Sequence, residues 1–132
     1  MTSRECEIIG LIHKEVKPAL GCTEPVAVAL AAAKAIELLA ETDRGFSRKA
    51  GSYKIKVSVS GNILKNGMGV GIPGTGMIGL RIAAALGAVC GASVYGLEVL
   101  KDLDDESITL AKKMVSENRI EISIASGCHK LY

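Results

Sequence analysis

Between Ile82 and Leu97 the chain carries sixteen residues without a charge, rich in Ala and Gly and interrupted by Gly87, Gly91 and Gly96. A spanning helix takes roughly 20 strongly apolar residues. This stretch is shorter and less apolar, so it predicts a helix buried inside a folded domain. Arg81 is the one charge near its start. The rest of the chain has to supply the layers that cover it.

The flanking segments offer those layers. Thr2 followed by Glu5 fits a capping box, and Ile8, Ile12 and Val16 recur at helical spacing until Pro18. A second helix is predicted from Pro25 to about Glu41. Proline suits its first turn. Lys34, Glu37 and Glu41 fall on one narrow stripe, which predicts burial on most other sides. Tyr53, Ile55, Val57 and Val59 alternate with Lys54, Lys56, Ser58 and Ser60, the pattern of a strand with one wet face. Ile120, Ile122 and Ile124 alternate in the same way. A central helix is expected from Thr75–Met77 to about Val89. Another follows Asp102, Asp104, Asp105 and Glu106, acids that suit a helix start. Met68, Val70 and Ile72 alternate with glycines and suggest a third strand. Together these predict a single α+β domain over 1–132, with a one-faced mixed or antiparallel sheet packed against Ala/Gly-rich helices.

Composition narrows the function. Sixteen basic against fourteen acidic residues leave a charge of +2, and aromatics make up 3%. Neither a basic footprint nor a stacking platform for nucleic acid is present. Arg4, Glu5 and Glu7 interrupt the N-terminus before a secretory apolar region can form. With no C-x-x-C spacing among Cys6, Cys22, Cys90 and Cys128, free thiols in a reducing, cytoplasmic compartment are expected, with no membrane partner.

Two segments carry the chemistry-bearing residues. In Gly21-Cys22-Thr23-Glu24-Pro25 a cysteine stands at a helix mouth. Unpaired N–H groups and the helix dipole favour a thiolate at such a place. The alternative is a capped turn with Thr23 as the cap. In the second segment, five glycines fall within Gly67–Gly76, after Lys65 and Asn66 and ahead of a helix. Without Cβ atoms, backbone N–H groups can close on a carboxylate or phosphate. The alternative is a glycine loop where helices pack closely. Gly74-x-Gly76-x-x-Gly79 imitates a dinucleotide fingerprint, but Ile72-Pro73 stands where a buried strand should lead in. His13, Cys6, Cys90, Cys128-His129 and the acids at 102–106 are weaker candidates, each more simply structural.

Val16-Lys-Pro-Ala-Leu-Gly-Cys-Thr-Glu-Pro25, Lys65-Asn-Gly-Met-Gly-Val-Gly-Ile-Pro-Gly-Thr-Gly76, Ala85-Leu-Gly-Ala88 and Gly96-Leu-Glu-Val-Leu-Lys-Asp102 resemble the L-cysteine desulfidase family. That family is related to the alpha chain of iron–sulfur L-serine dehydratases. The resemblance implies a [4Fe–4S] lyase that eliminates across the α and β carbons of a small amino acid. L-Cysteine would give pyruvate, ammonia and sulfide; L-serine would give pyruvate and ammonia. It implies Cys22, Glu24 and Lys65 as catalytic residues, with Cys22 as base or as a cluster-proximal thiolate. It implies Thr23, Asn66, Gly74, Thr75 and Gly76 as substrate contacts. Family members are longer, with their remaining cluster cysteines in the later part. The chain is therefore expected to be an N-terminal portion that needs a missing C-terminal part or partner subunit. Its Ala/Gly-rich helices and the apolar end at Leu131-Tyr132 suggest surfaces meant for a further layer, so self-association or a covering domain is expected. The alternative from another class is a cofactor-free module that binds a small carboxylate.

Overall fold

The computed structural model describes residues 2–16, 22–72 and 75–125. Helix α1 (Ser3–Glu15) starts with the expected capping box: Glu5 N–H donates to the Thr2 hydroxyl, and Thr2 N–H donates to the Glu5 carboxylate. None of its residues is buried, and Ile8 and Ile12 stand about half exposed. Pro18, Cys128-His129 and the apolar end at Leu131-Tyr132 lie outside the described residues.

Helix α2 (Thr23–Thr42) buries Val26, Val28, Ala29, Ala32, Ala33 and Ile36. Ala31, Ala35, Leu38 and Leu39 are exposed, so it hides one face rather than most of its circumference. Alanine carries too little bulk to mark a side. Strand β1 (Ile55–Val59) follows a polar connection. Arg48 in that connection reaches across to the end of helix α4 (Leu80–Cys90), donating to the carbonyls of Gly87, Ala88 and Gly91 at 2.8–3.0 Å. This supplies the cation that α4's own last turn lacks.

Helix α3 (Gly61–Gly67) is a short element that the alternation and spacing rules miss. Ser60 caps it, its hydroxyl accepting from Ile63 N–H at 3.2 Å. The expected strand at Met68–Ile72 does not form. Alternating glycines imitate the pattern without the side chains that hold a ladder, and only Gly71 makes an isolated bridge, to Ile78.

Helix α4 (Leu80–Cys90) begins later than expected, after Gly79 at φ 98. It is the buried axis, with Leu80 and every residue from Ile82 to Val89 out of solvent. A 3-10 segment (Ser93–Glu98), broken at Gly96, follows. It is tied to α2 where Ser93 donates its N–H and hydroxyl to the Glu37 carboxylate. Helix α5 (Asp105–Ser116) starts at the predicted acids: the Asp104 carboxylate accepts from Ser107 N–H at 2.7 Å. Strand β2 (Ile120–Ile124) is the last element among the described residues.

The architecture is α+β, with helices against a two-stranded sheet. The sheet is parallel, Ile55 opposite Ile120 and Val59 opposite Ile124, not mixed or antiparallel. The path through α3, α4 and α5 is a crossover that returns the chain to the end from which β1 started, and only such a crossover permits parallel pairing. The one-faced character holds: Val59 and Ile120 are buried while Lys56, Ser58, Glu121 and Ser123 are wet. No helix among the described residues is long and apolar enough to cross a membrane.

The Glu37 link has a pH signature. The side-chain and backbone hydrogen bonds from Ser93 hold its carboxyl below the ordinary value of 4.5. A lowered folded value stabilises the fold above the unfolded one, and that contribution disappears as pH falls through the lowered value. Hydrogen bonds to a charged group are worth about 1.5–3 kcal/mol, and partial exposure reduces this one to ~1 kcal/mol. Glu37→Gln should therefore lower the unfolding free energy by ~1 kcal/mol at pH 7, and the difference from the parent should shrink as pH falls below 4.5 and through the lowered value. Urea titrations across that pH range check this.

Candidate functional site

Two buried glycines decide how the chemistry-bearing segments meet. A Cβ on Gly87 of α4 would lie 2.2 Å from the Ala29 carbonyl oxygen of α2. One turn on, a Cβ on Gly91 would lie 3.0 Å from the Ala33 Cβ. The contacts advance in the same direction along both helices, so α2 and α4 run parallel. About two turns back from these contacts, α2 reaches Cys22 and α4 reaches Leu80. The two helix N-termini thus share one end of the pair.

At the α2 mouth, Cys22 itself occupies the cap position in extended backbone. Thr23 is the first helical residue and not the cap. Cys22 is exposed and makes no capping hydrogen bond with its side chain. Glu24 lies in the first turn and Pro25 is buried beneath it.

At the α4 mouth the glycine segment folds into a tight loop. Ile72 N–H donates to Met77 C=O, and Gly79 N–H to Val70 C=O, both at 3.0 Å. Thr75 clasps the loop from inside. Its hydroxyl is buried, donates to Ile72 C=O at 2.8 Å and accepts from Met77 N–H at 3.0 Å. The hydroxyl of Thr75, expected as a substrate contact, is thus hydrogen-bonded within the loop. Gly76 is exposed at φ +68, and a Cβ there would meet nothing within 4 Å. Gly74 lies outside the described residues.

Helix α3 joins the two mouths. Buried Ile63 shares a groove with Ala27 and Val28 of α2, and a Cβ on Gly67 would press on the Leu80 side chain of α4. Lys65 and Asn66 are exposed between those anchors. Arg81 is a candidate that spacing arguments overlook. It stands exposed in the first turn of α4, on a groove of ≈ 520 Å³ lined also by Met68, Met77 and Ile78. A cation opposes the dipole there, so its presence suits an anion. The signal was a lone charge directly after a glycine loop.

Among the described residues, Cys6, Cys22 and Cys90 do not assemble a cluster site. Among the described residues no three His, Cys, Asp or Glu side chains come together as a metal site. Cys6 is exposed on α1. Cys90 is half-buried, its thiol donating to Leu86 C=O, and burial pushes that thiol up, away from the thiolate. The described residues alone do not fit a [4Fe–4S] cluster.

No family model and no solved structure matches the chain. It is similar to proteins named UPF0597. One from Parabacteroides distasonis is 56% identical over 126 residues, covering 96% of the chain and 27% of that protein. One from Oleidesulfovibrio alaskensis is 54% identical over 124 residues, and one from Shewanella pealeana 54% over 121, each again covered over 27% of its length. The chain thus spans about a quarter of the relatives it matches.

Proposed function

We propose that the chain is the N-terminal part of an iron–sulfur lyase of the cytoplasm that eliminates sulfide from L-cysteine, leaving pyruvate and ammonia. The motif resemblance suggests this reaction. The observation that supports it in the fold is the parallel α2–α4 pair, which gives the Cys22 mouth and the glycine loop a common end. In this reading the amino-acid carboxylate lies against the backbone N–H groups at Gly76 and the first turn of α4, with Arg81 as counter-charge. Thr75 keeps the loop in shape. Lys65 and Asn66 orient the substrate from α3. Cys22 takes the α-proton, and Thr23 and Glu24 border it. The cluster that the resemblance implies would need ligands from outside the described residues.

A second reading, a cofactor-free module for a small carboxylate, draws on the loop that Thr75 clasps and on exposed Gly76 within it. One experiment separates the two. The chain is continued by the remaining length of the Parabacteroides relative and reconstituted anaerobically with iron and sulfide, and excess sulfide is removed. L-Cysteine-dependent sulfide and pyruvate release is expected. Pyruvate from L-serine with none from L-cysteine would move the assignment to a serine dehydratase. Saturable carboxylate binding with neither activity would replace the lyase by the binding module.

A further inference from the structure

One edge of the two-stranded sheet has no backbone partner among the described residues. Ile55 N–H donates to Arg119 C=O at 2.8 Å, and Ala125 N–H donates to Val59 C=O at 2.8 Å. In a parallel ladder a residue's N–H and C=O point to the same side, and the side alternates along the strand. Ile55, Val57 and Val59 therefore address β2. Lys56 and Ser58 point their backbone groups the other way. Among the described residues nothing in the backbone pairs with them there.

A groove of ≈ 650 Å³ runs beside that edge. Val57, Ser58 and Val59 all line it although their side chains alternate in direction, which places it along the edge and not over a face. Its other wall is α2, through Ala27, Val28, Leu30, Ala31 and Lys34. No residue of β2 reaches it. Parallel sheets are ordinarily larger and covered on both faces, and two strands alone are marginal. Independently of the proposed activity, we infer that β1 receives an extended strand from the part of the protein that, in the relatives, lies outside the matched region.

Three observations choose this occupant. The relatives hold nearly three-quarters of their length beyond the match. A second copy pairing edge to edge would bring its own α2 against the same groove, whereas a strand fills it alone. Lys34 on the groove and Lys56 on the wet face suit a strand with apolar residues toward α2 and an acid on its outer face.

Amide hydrogen exchange tests this in the full-length protein, with this chain continued by the remaining length of the Parabacteroides relative. Lys56 and Ser58 amides should exchange at least 100-fold slower than unprotected amides, alongside Val57. Ser58→Pro removes a donor that faces away from β2. Ala31→Glu puts a charge in the groove from an exposed position. Either should accelerate exchange at Lys56 at least tenfold while Val57 stays protected. Unprotected Lys56 and Ser58 overturn the inference, as does protection that neither variant disturbs. Protection that rises with protein concentration overturns it too, by making a second copy the occupant.

Discussion

Gly87→Ala should destabilise the fold by about 3 kcal/mol, at the upper end of what overpacking a core costs. The added methyl would sit 2.2 Å from the Ala29 carbonyl oxygen and 2.7 Å from its Cα. Both are backbone atoms, which cannot turn aside as a side-chain end can. Alanine's better helix propensity returns only ~1 kcal/mol. Domain stabilities are about 5–15 kcal/mol, so the loss is a large fraction of the whole. Gly67→Ala is a useful contrast, because there the methyl would meet the Leu80 side chain, at 2.4 Å from its Cδ2. A leucine end can shift, so a smaller cost is expected. Gly10→Ala in α1, with nothing within 4 Å, should keep the unfolding midpoint at or slightly above the parent's, because only the helix-propensity gain of up to ~1 kcal/mol applies there. Urea unfolding followed by circular dichroism ranks the three. A Gly87→Ala midpoint indistinguishable from the parent would mean that α2 and α4 do not pack through this glycine. The common end they give to the candidate site would lose its support.

What the sequence shows and hides follows from the range of the interactions. The Thr2–Glu5 capping box and the acids ahead of α5 are settled within one turn, and both are legible. The strands are legible because Ile55, Val57 and Val59, like Ile120, Ile122 and Ile124, repeat with the period of a pleat. Their parallel pairing is not, since it depends on where three intervening helices leave the chain. α3 escapes notice because its seven residues are too few for a helical period to show. Met68–Ile72 misleads for the opposite reason, a period without β-forming side chains at the alternate positions. The site divides in the same way. Pro25 marks the helix mouth that exposes Cys22. The role of Thr75 depends on a carbonyl three residues back in its own loop, and no residue-type pattern discloses that its hydroxyl is occupied. The meeting of the two mouths rests on Ala29 and Gly87, far apart in sequence and without chemistry of their own.

Cys22→Ala should cut L-cysteine-dependent sulfide release by about 10²–10⁴-fold, the range for loss of a positioned acid–base group. At 1.36 kcal/mol per tenfold this is about 3–5 kcal/mol of transition-state stabilisation. The fold should not answer for the loss. Cys22 is exposed, and its side chain makes no capping hydrogen bond for alanine to forfeit. The thermal midpoint is therefore expected to stay within about 2 °C, well under the shift of a 1 kcal/mol change in a domain of this size. Cys6→Ala, on the outside of α1, should keep activity within about twofold of the parent, since surface changes away from a site do little. A base takes its proton whether or not the leaving group departs. Exchange of the substrate α-proton with deuterated water should accordingly disappear in Cys22→Ala while the iron content of the reconstituted protein is unchanged. Iron lost together with activity would make Cys22 a ligand instead of the base. Full activity in Cys22→Ala would remove this cysteine from the chemistry and leave the helix mouth with a packing role only.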